Sequence, residues 1–212
     1  MHCQLHRGAT GIKSRMAVYA IHKEGYEMQT KTELRATCKA LRDAIPEAER
    51  MDKSGRLCRL LFDSEIYKAA QSVFCFVGFG SEIHTRFLLA HSLASGKRVA
   101  VPRTGKAGHM DFIAINSLED MQISPFGVPE PSHGAIALPD AQTLMLLPGL
   151  AFGRDGFRVG YGRGFYDRYL SRVQTMKNVG ICFAAQLLDA VPHDAYDIAA
   201  DAILTEEGWV QI

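Results

Sequence analysis

The sequence lacks most of the features that mark secreted, membrane-bound or polyanion-binding proteins. Its 212 residues include only five cysteines, an odd number with no C-x-x-C pair, which argues against a disulfide framework and a zinc knuckle. No run of about 18 apolar residues occurs, so we expect no membrane span. The 24 Lys and Arg balance 23 Asp and Glu, so no global charge favours nucleic acid or an anionic membrane as a partner. We therefore expect a cytoplasmic protein with free thiols, in which any anionic ligand meets a local cluster of positive charge.

The composition is that of a folded chain. Hydrophobic residues make up 47% of the sequence and charged residues 22%, and the length suffices for a buried core. Residues 1–29 are interpreted as a variable N-terminal extension. No repeat and no linker interrupts residues 30–212, which we interpret as a single domain.

Helical and strand patterns alternate from residue 30 onwards. Thr30 and Glu33 form a capping-box pattern at the start of the first helix. The predicted helices are 31–45, 46–70, 85–95 and 165–174, and the predicted strands are 73–77, 98–102, 110–115, 143–149, 178–184 and 202–205. This alternation indicates an α/β fold with a mostly parallel sheet, in which 110–115 and 202–205 are candidates for antiparallel strands.

Ligands of open parallel sheets bind beyond the carboxyl ends of the strands. Three segments follow strand ends in this sequence: 78–84, 102–108 and 148–164. We expect them to converge on one site.

The third of these segments carries the strongest chemical signal. Six of the sixteen residues from 149 to 164 are glycine, and five arginines against two aspartates lie between 148 and 172. Glycines let backbone N–H groups approach phosphate oxygens, arginines supply forked donors, and Asp167 in the first turn of the following helix is suited to Mg²⁺. A long glycine-rich surface loop is the alternative. The segment is neither a P-loop nor a dinucleotide-binding fingerprint.

A basic stripe runs along the first predicted helix. It consists of Lys31, Arg35, Lys39 and Arg42, which recur at helical spacing. Taken alone, this stripe is typical of a solvated helix face.

The run PGLAFGRDGFRVGYGRGFYDR, residues 148–168, resembles the signature of the 5-formyltetrahydrofolate cyclo-ligase family. The resemblance extends more weakly over residues 31–206. Two positions depart from the family pattern: Gly153 stands where the family has Asp, with Asp155 as a candidate substitute, and Val159 stands where it has Leu. The resemblance implies a three-layer α/β/α sandwich of the ribose-5-phosphate isomerase and CoA-transferase type.

The resemblance also implies roles for individual residues. It assigns catalysis to Arg158, Arg163 and Asp167, and Mg²⁺ binding to Asp167 and Asp201, with Asp197 beside the site. It assigns folate binding to Glu82, within SEIHT, and to Phe126, within PFGVPEP. The implied ATP-binding set is Lys31, Arg35, Arg158, Gly160, Gly162, Arg163, Gly164, Phe165, Tyr166 and Asp167. Lys39 and Arg42 remain predicted as solvated. For the others the structural alternatives are a helix-entry carboxylate at Glu82, a packing residue at Phe126, and turn or capping roles for Asp197 and Asp201.

The activity implied by the resemblance is the conversion of 5-formyltetrahydrofolate to 5,10-methenyltetrahydrofolate, with ATP as co-substrate, Mg²⁺ as cofactor, and ADP and phosphate released. A nucleotide- or folate-binding module that has lost catalysis is the alternative, and Gly153 favours it. A sugar-phosphate isomerase is a third hypothesis, because this fold type also hosts such enzymes.

Overall fold

The structure is a computed structural model that describes residues 30–105, 108–119, 121–125, 127–175 and 177–212. The predicted N-terminal extension, residues 1–29, lies outside the described residues, as does Phe126. None of the helices in these described ranges has the length and apolar composition that crossing a bilayer requires.

Five α-helices are formed within the described ranges. They are α1 (Lys31–Asp43), α2 (Glu47–Asp63), α3 (Glu65–Ala69), α4 (Arg86–Ala94) and α5 (Phe165–Leu170). The predicted capping box is confirmed, because Thr30 Oγ1 accepts from the backbone N–H of Glu33 and the Glu33 carboxylate accepts from the backbone N–H of Thr30. The predicted helix over 46–70 is instead two helices. Ser64 adopts an extended conformation between them, and its side chain caps α3 by accepting from the N–H of Tyr67 at 3.3 Å.

Thirteen strands form three sheets within the same ranges. The eight-stranded sheet has the order β13-β12-β10-β7-β1-β2-β3-β6, a three-stranded sheet has the order β11-β8-β9, and β4 pairs with β5. Their bounds are β1 (Ser72–Cys75), β2 (Arg98–Thr104), β3 (Met110–Ile115), β4 (Met121–Ile123), β5 (Pro129–Pro131), β6 (Ile136–Ala137), β7 (Thr143–Leu147), β8 (Ala151–Gly153), β9 (Arg158–Val159), β10 (Lys177–Ile181), β11 (Leu187–Leu188), β12 (Ala202–Thr205) and β13 (Gly208–Gln211).

The centre of the large sheet is parallel, as predicted. Strands β12, β10, β7, β1 and β2 run in one direction, and β3 is antiparallel to β2. The expectation of an antiparallel last strand over 202–205 is wrong, because β12 pairs parallel with β10 and only the added hairpin strand β13 reverses direction. The residues just before β12 therefore lie at the amino ends of the parallel strands.

Helices cover both faces of the sheet, because successive strand residues point to opposite sides. On one face, Val73 and Cys75 belong to a cluster with Leu57 of α2 and Leu88 of α4. On the other face, Phe74 and Met145 pack with Tyr169 and Leu170 of α5. The predicted α/β sandwich is confirmed. Helix α1 lies outside these layers and packs through Leu34 and Cys38 on the three-stranded sheet.

The cysteines in the described ranges are free thiols, as predicted: Cys38, Cys58, Cys75 and Cys182 are all buried and unpaired. Burial raises the pKa of the Cys38 thiol to about 11 and that of the Cys58 thiol to about 11, so both are protonated near neutral pH. Cys3 lies outside the described residues.

Candidate active site

A cavity of about 500 Å³ opens beyond the carboxyl ends of the parallel strands. Its walls include Phe76 and Glu82 after β1, Thr104 at the end of β2, and Pro148 after β7. All three segments that follow strand ends contribute to this cavity, as the sequence predicted. The whole ATP-binding set named above lines it, and so does Glu82.

The glycine-rich loop owes its course to residues without side chains. Gly162 and Gly164 have φ angles of +89° and +62°, which are rarely adopted by other residues. A Cβ on Gly162 would also lie 3.4 Å from the guanidinium carbon of Arg35. Arg35 in turn donates from Nε to the carbonyl oxygen of Gly160 at 2.9 Å, so α1 supports the loop directly.

Arg158 is held within the protein. Its side chain is 4% exposed, and it donates to the Asp167 carboxylate at 2.7 Å and to the carbonyl oxygen of Ile198 at 2.7 Å. Its Nη atoms are therefore occupied by protein acceptors, although the resemblance assigned it to phosphate. In this geometry Arg158 orients Asp167, which also accepts from the backbone N–H of Ile198 at 3.2 Å.

Lys31 reaches the cavity wall from α1 and is bound by two carboxylates. Its ammonium donates to Asp194 Oδ2 and to Asp197 Oδ2, both at 2.5 Å. Desolvation lowers the pKa of Lys31, but these two hydrogen bonds outweigh it and raise the pKa above its usual value. Asp197 thus lies beside the site, as expected, and its role there is to anchor the segment after residue 190 to α1.

The prediction that Arg42 is solvated is wrong, whereas Lys39 is exposed as predicted and pairs with Asp43. The Arg42 side chain is 4% exposed. It donates to Ser81 Oγ at 3.0 Å and to the Tyr161 hydroxyl at 2.9 Å. The α1 stripe therefore includes one buried cation, which faces the wall of the cavity.

Glu82 is the buried carboxylate that faces Arg42. Its Oε1 accepts from the Tyr161 hydroxyl and lies 3.7 Å from Arg42 Nη1, and its Oε2 accepts from the N–H of Phe79 at 3.3 Å. Burial raises the pKa of Glu82, although Tyr161, Arg42 and Phe79 partly oppose the shift. Burial and the negative Glu82 likewise raise the pKa of Tyr161.

Glu130 is a second buried carboxylate on the cavity wall, and sequence reasoning missed it. It is 6% exposed and accepts from the Thr104 hydroxyl at 2.7 Å. The available signal was its place in the PEP triplet of the proline-rich segment, where one charge stands between two apolar neighbours.

Asp201 is not brought to the cavity. It lies at the amino end of the sheet, where its carboxylate accepts from the N–H of Asn178 at 2.7 Å and lies 3.9 Å from Lys177. The expected pairing of Asp167 with Asp201 on one metal ion is wrong, because it depended on the antiparallel direction of β12. In the part of the chain that the structure describes, no three His, Cys, Asp or Glu residues form a metal-binding group.

Gly153, the departure from the family pattern, lies in β8 and does not line the cavity. A Cβ there would lie 2.2 Å from Asp155 Oδ1 and 2.9 Å from the backbone nitrogen of Val191, so a side chain is excluded by its neighbours. Asp155 instead closes the local turn by accepting from the N–H of Phe157 at 3.2 Å. Gly153 is therefore required by local packing, and it is not one of the residues that line the cavity.

The fold and the cavity together define a class: an α/β protein in which a glycine-rich loop and apolar side chains line one cavity beyond the carboxyl ends of the parallel strands. The chain belongs to the 5-formyltetrahydrofolate cyclo-ligase family, whose sequence model matches residues 27–206. The resemblance noted in the sequence is therefore confirmed.

Individual relatives agree with this assignment. The chain is 28% identical over 187 residues to the 5-formyltetrahydrofolate cyclo-ligase of Mus musculus, covering 82% of this chain and 92% of that protein. It is 30% identical over 185 residues to the protein of that name from Mycolicibacterium smegmatis, covering 84% and 94%. Among solved structures, 5,10-methenyltetrahydrofolate synthetase of Aquifex aeolicus is similar with a TM-score of 0.76 at 27% identity, covering 86% of this chain and 93% of that chain.

Proposed function

We propose that this protein is an ATP- and Mg²⁺-dependent ligase that converts 5-formyltetrahydrofolate to 5,10-methenyltetrahydrofolate, releasing ADP and phosphate. The observation that supports this most directly is the mixed lining of one cavity. The glycines of the 160–164 loop line it together with Lys31 and Arg163, and so do apolar side chains and the buried carboxylates Glu82 and Glu130. The loop with its cations suits a triphosphate, and the apolar side chains with their carboxylates suit a flat, partly polar ring.

The reaction needs activation of a poor leaving group. The formyl oxygen attacks the γ-phosphorus of ATP, ADP departs, and the oxygen becomes part of a phosphate ester. N10 of the same folate then attacks the formyl carbon and loses its proton, and phosphate leaves with the former formyl oxygen. The protein's contribution is to hold the two substrates in line and to stabilise charge on the transferring group.

The triphosphate is assigned to the loop and the start of α5. Backbone N–H groups near Gly160, Gly162 and Gly164 approach its oxygens, and Lys31 and Arg163 supply positive charge. Arg35 fixes the loop through the carbonyl of Gly160.

Lys31 exchanges the exposed Asp194 for a phosphate oxygen, while Asp197 keeps the Lys31 ammonium in place. Phe165 and Tyr166 form the adjoining wall.

Asp167 fits a role in holding Mg²⁺. Its Oδ1 receives the bonds from Arg158 and Ile198, and its carboxylate lines the cavity next to the loop. Mg²⁺ in phosphoryl-transfer sites takes one or two carboxylates together with phosphate oxygens and water, so a single Asp suffices. The ion neutralises charge on the phosphates when it is bound. Arg158 acts as the positioning residue for this carboxylate.

Folate is assigned to the apolar side chains and buried carboxylates of the cavity. Glu82 lines the cavity, faces the cation Arg42 and accepts from the Tyr161 hydroxyl, so it is suited to orient the formyl-bearing part of the substrate. Phe126, which lies outside the described residues, remains predicted to contact the pterin ring.

Because no described cysteine is reactive or paired, we also infer a reducing, cytoplasmic location, and we interpret residues 30–212 as one domain.

Absorbance provides the test. Methenyltetrahydrofolate absorbs in the near ultraviolet far more strongly than 5-formyltetrahydrofolate does, so mixing protein, ATP, Mg²⁺ and 5-formyltetrahydrofolate should produce a rising signal. ADP should appear in equal amount, and omission of ATP should abolish both signals. Calorimetric binding of both ligands with no absorbance change and no ADP would instead identify a binding module without catalysis.

A further inference from the structure

We propose that Glu130 recognises the pterin ring of the folate by accepting hydrogen bonds from its N3–H and 2-amino groups. This inference rests on the proposed function and assigns a specificity residue to it. The carboxylate would fix which way the ring enters the cavity, and thereby which ring nitrogen faces the triphosphate.

The two buried carboxylates of the cavity differ in what surrounds them. Glu82 is compensated inside the protein, since the Tyr161 hydroxyl, Arg42 and the N–H of Phe79 all face it. Glu130 is equally buried, yet within the described ranges its carboxylate accepts a hydrogen bond from the neutral hydroxyl of Thr104. No cation of those ranges forms an ion pair with it.

A buried carboxylate that holds one neutral hydrogen bond retains acceptor capacity, since its two oxygens offer about four lone-pair sites. A ligand that displaces water from the carboxylate must supply hydrogen-bond donors in its place, because a carboxylate left unpaired is costly. Because Glu130 lines the cavity, a ligand there can reach it. The carboxylate is therefore placed to select a ligand with hydrogen-bond donors.

The chemistry of the two substrates decides which one fits. A pterin carries a ring N–H next to an exocyclic amino group, and these two adjacent donors match the fork of a carboxylate. Adenine has one amino group flanked by ring nitrogens that are acceptors, and those would face the carboxylate oxygens unfavourably. The surroundings suit a flat ring, because Pro102, Met110 and Val128 line the same cavity, and Met110 pairs in the sheet with Thr104, the hydrogen-bond partner of Glu130.

A structural role for Glu130 is the alternative. Glu130 lies in β5 and Thr104 at the end of β2, so their hydrogen bond joins the small two-stranded sheet to the large one. Glu130→Gln separates the two roles. The Gln amide oxygen still accepts from Thr104, but its NH₂ group opposes the paired donors of the pterin.

The test is binding of 5-formyltetrahydrofolate without ATP, measured by calorimetry for the wild type and Glu130→Gln. Glu65→Gln serves as the matched control, since Glu65 is exposed on α3. We expect binding to Glu130→Gln to be weaker by about 10- to 100-fold, with ATP affinity and melting temperature unchanged. The second ligand is the 2-desamino-2-methyl analogue of the substrate. The wild type should discriminate against it by about 10-fold or more, whereas Glu130→Gln should discriminate much less.

The outcomes are distinguishable. Equal affinity of the wild type and Glu130→Gln for the substrate, or equal discrimination against the analogue, would overturn the role of Glu130 while leaving the proposed reaction intact. Failure of the wild type to bind 5-formyltetrahydrofolate at all would overturn both. If Glu130→Gln has a lower melting temperature than the wild type, Glu130→Asp is measured with the same two ligands. Its shorter carboxylate should weaken the binding of the substrate more than the binding of the analogue.

Discussion

The Tyr161 hydroxyl joins Glu82 to Arg42: it donates to Glu82 Oε1 and accepts from Arg42 Nη2 at 2.9 Å. Tyr161 belongs to the glycine-rich loop, Glu82 to the segment after β1, and Arg42 to α1. One phenol therefore connects the loop assigned to ATP with the buried carboxylate assigned to folate. The position of the loop and the surroundings of the Glu82 carboxylate depend on the same hydrogen bonds.

Tyr161→Phe should remove this connection while keeping the ring. We expect a loss of about 1–3 kcal/mol in the free energy of unfolding, because the Glu82 carboxylate stays buried with one donor fewer. The KM for folate should rise more than the KM for ATP. Urea denaturation and initial-rate kinetics measure both effects. Tyr196→Phe is the control, since Tyr196 is 89% exposed; equal stability of the two variants would contradict the prediction.

The raised pKa of Glu82 predicts a pH dependence of stability. Because Glu82 is buried, its carboxyl group holds its proton more tightly in the folded state than in the unfolded chain. Ionisation of Glu82 therefore costs stability as the pH rises from the usual carboxyl value of 4.5 through the raised pKa of the folded state.

Glu82→Gln, which cannot ionise, should lack this cost. The melting temperature of Glu82→Gln minus that of the wild type should therefore increase from acid towards neutral pH. Thermal unfolding of both proteins across that range measures the difference. A constant difference would show that Glu82 does not titrate with a raised pKa.

Arg163→Ala should weaken ATP binding without unfolding the protein. Arg163 lies between two glycines with positive φ and lines the cavity, and loss of a charge-assisted phosphate contact costs about 1.5–3 kcal/mol. Titration calorimetry with a non-hydrolysable ATP analogue gives the affinity. Arg154→Ala is the matched control, because Arg154 is a half-exposed arginine of the same segment that does not line the cavity. Similar affinities for the two variants would remove Arg163 from the phosphate site.

Asp167→Asn and Asp201→Asn should differ in their need for Mg²⁺. Asp167 lines the cavity, so its substitution should raise the Mg²⁺ concentration required for half-maximal turnover by about 10-fold or more. Asp201 accepts from the N–H of Asn178 at the other end of the sheet, so Asp201→Asn should affect stability alone. Turnover measured against Mg²⁺ concentration distinguishes them. A raised requirement in Asp201→Asn would place Asp201 at the metal after all.

The features that the sequence alone determined are local. The capping box of Thr30 and Glu33 lies within one helical turn. The composition of the apolar run in β1 indicates by itself that both faces of the strand are buried. The interleaved glycines and arginines of residues 149–164 predict a phosphate-binding loop from adjacent residues alone, and residues of this loop line the cavity. These predictions needed no information about distant partners.

Tertiary structure decided the roles that depend on distant partners. Arg42 follows the same helical spacing as the exposed Lys39, and only the approach of Ser81 and Tyr161 makes it a buried cation. Glu130 became a cavity residue because β5 lies beside the end of β2. Asp201 lies far from its predicted place at the cavity because the chain before β12 crosses to the amino end of the sheet. It then enters β12 in the parallel direction. Burial and strand direction depend on contacts between residues far apart in the chain, and spacing along the sequence does not encode those contacts.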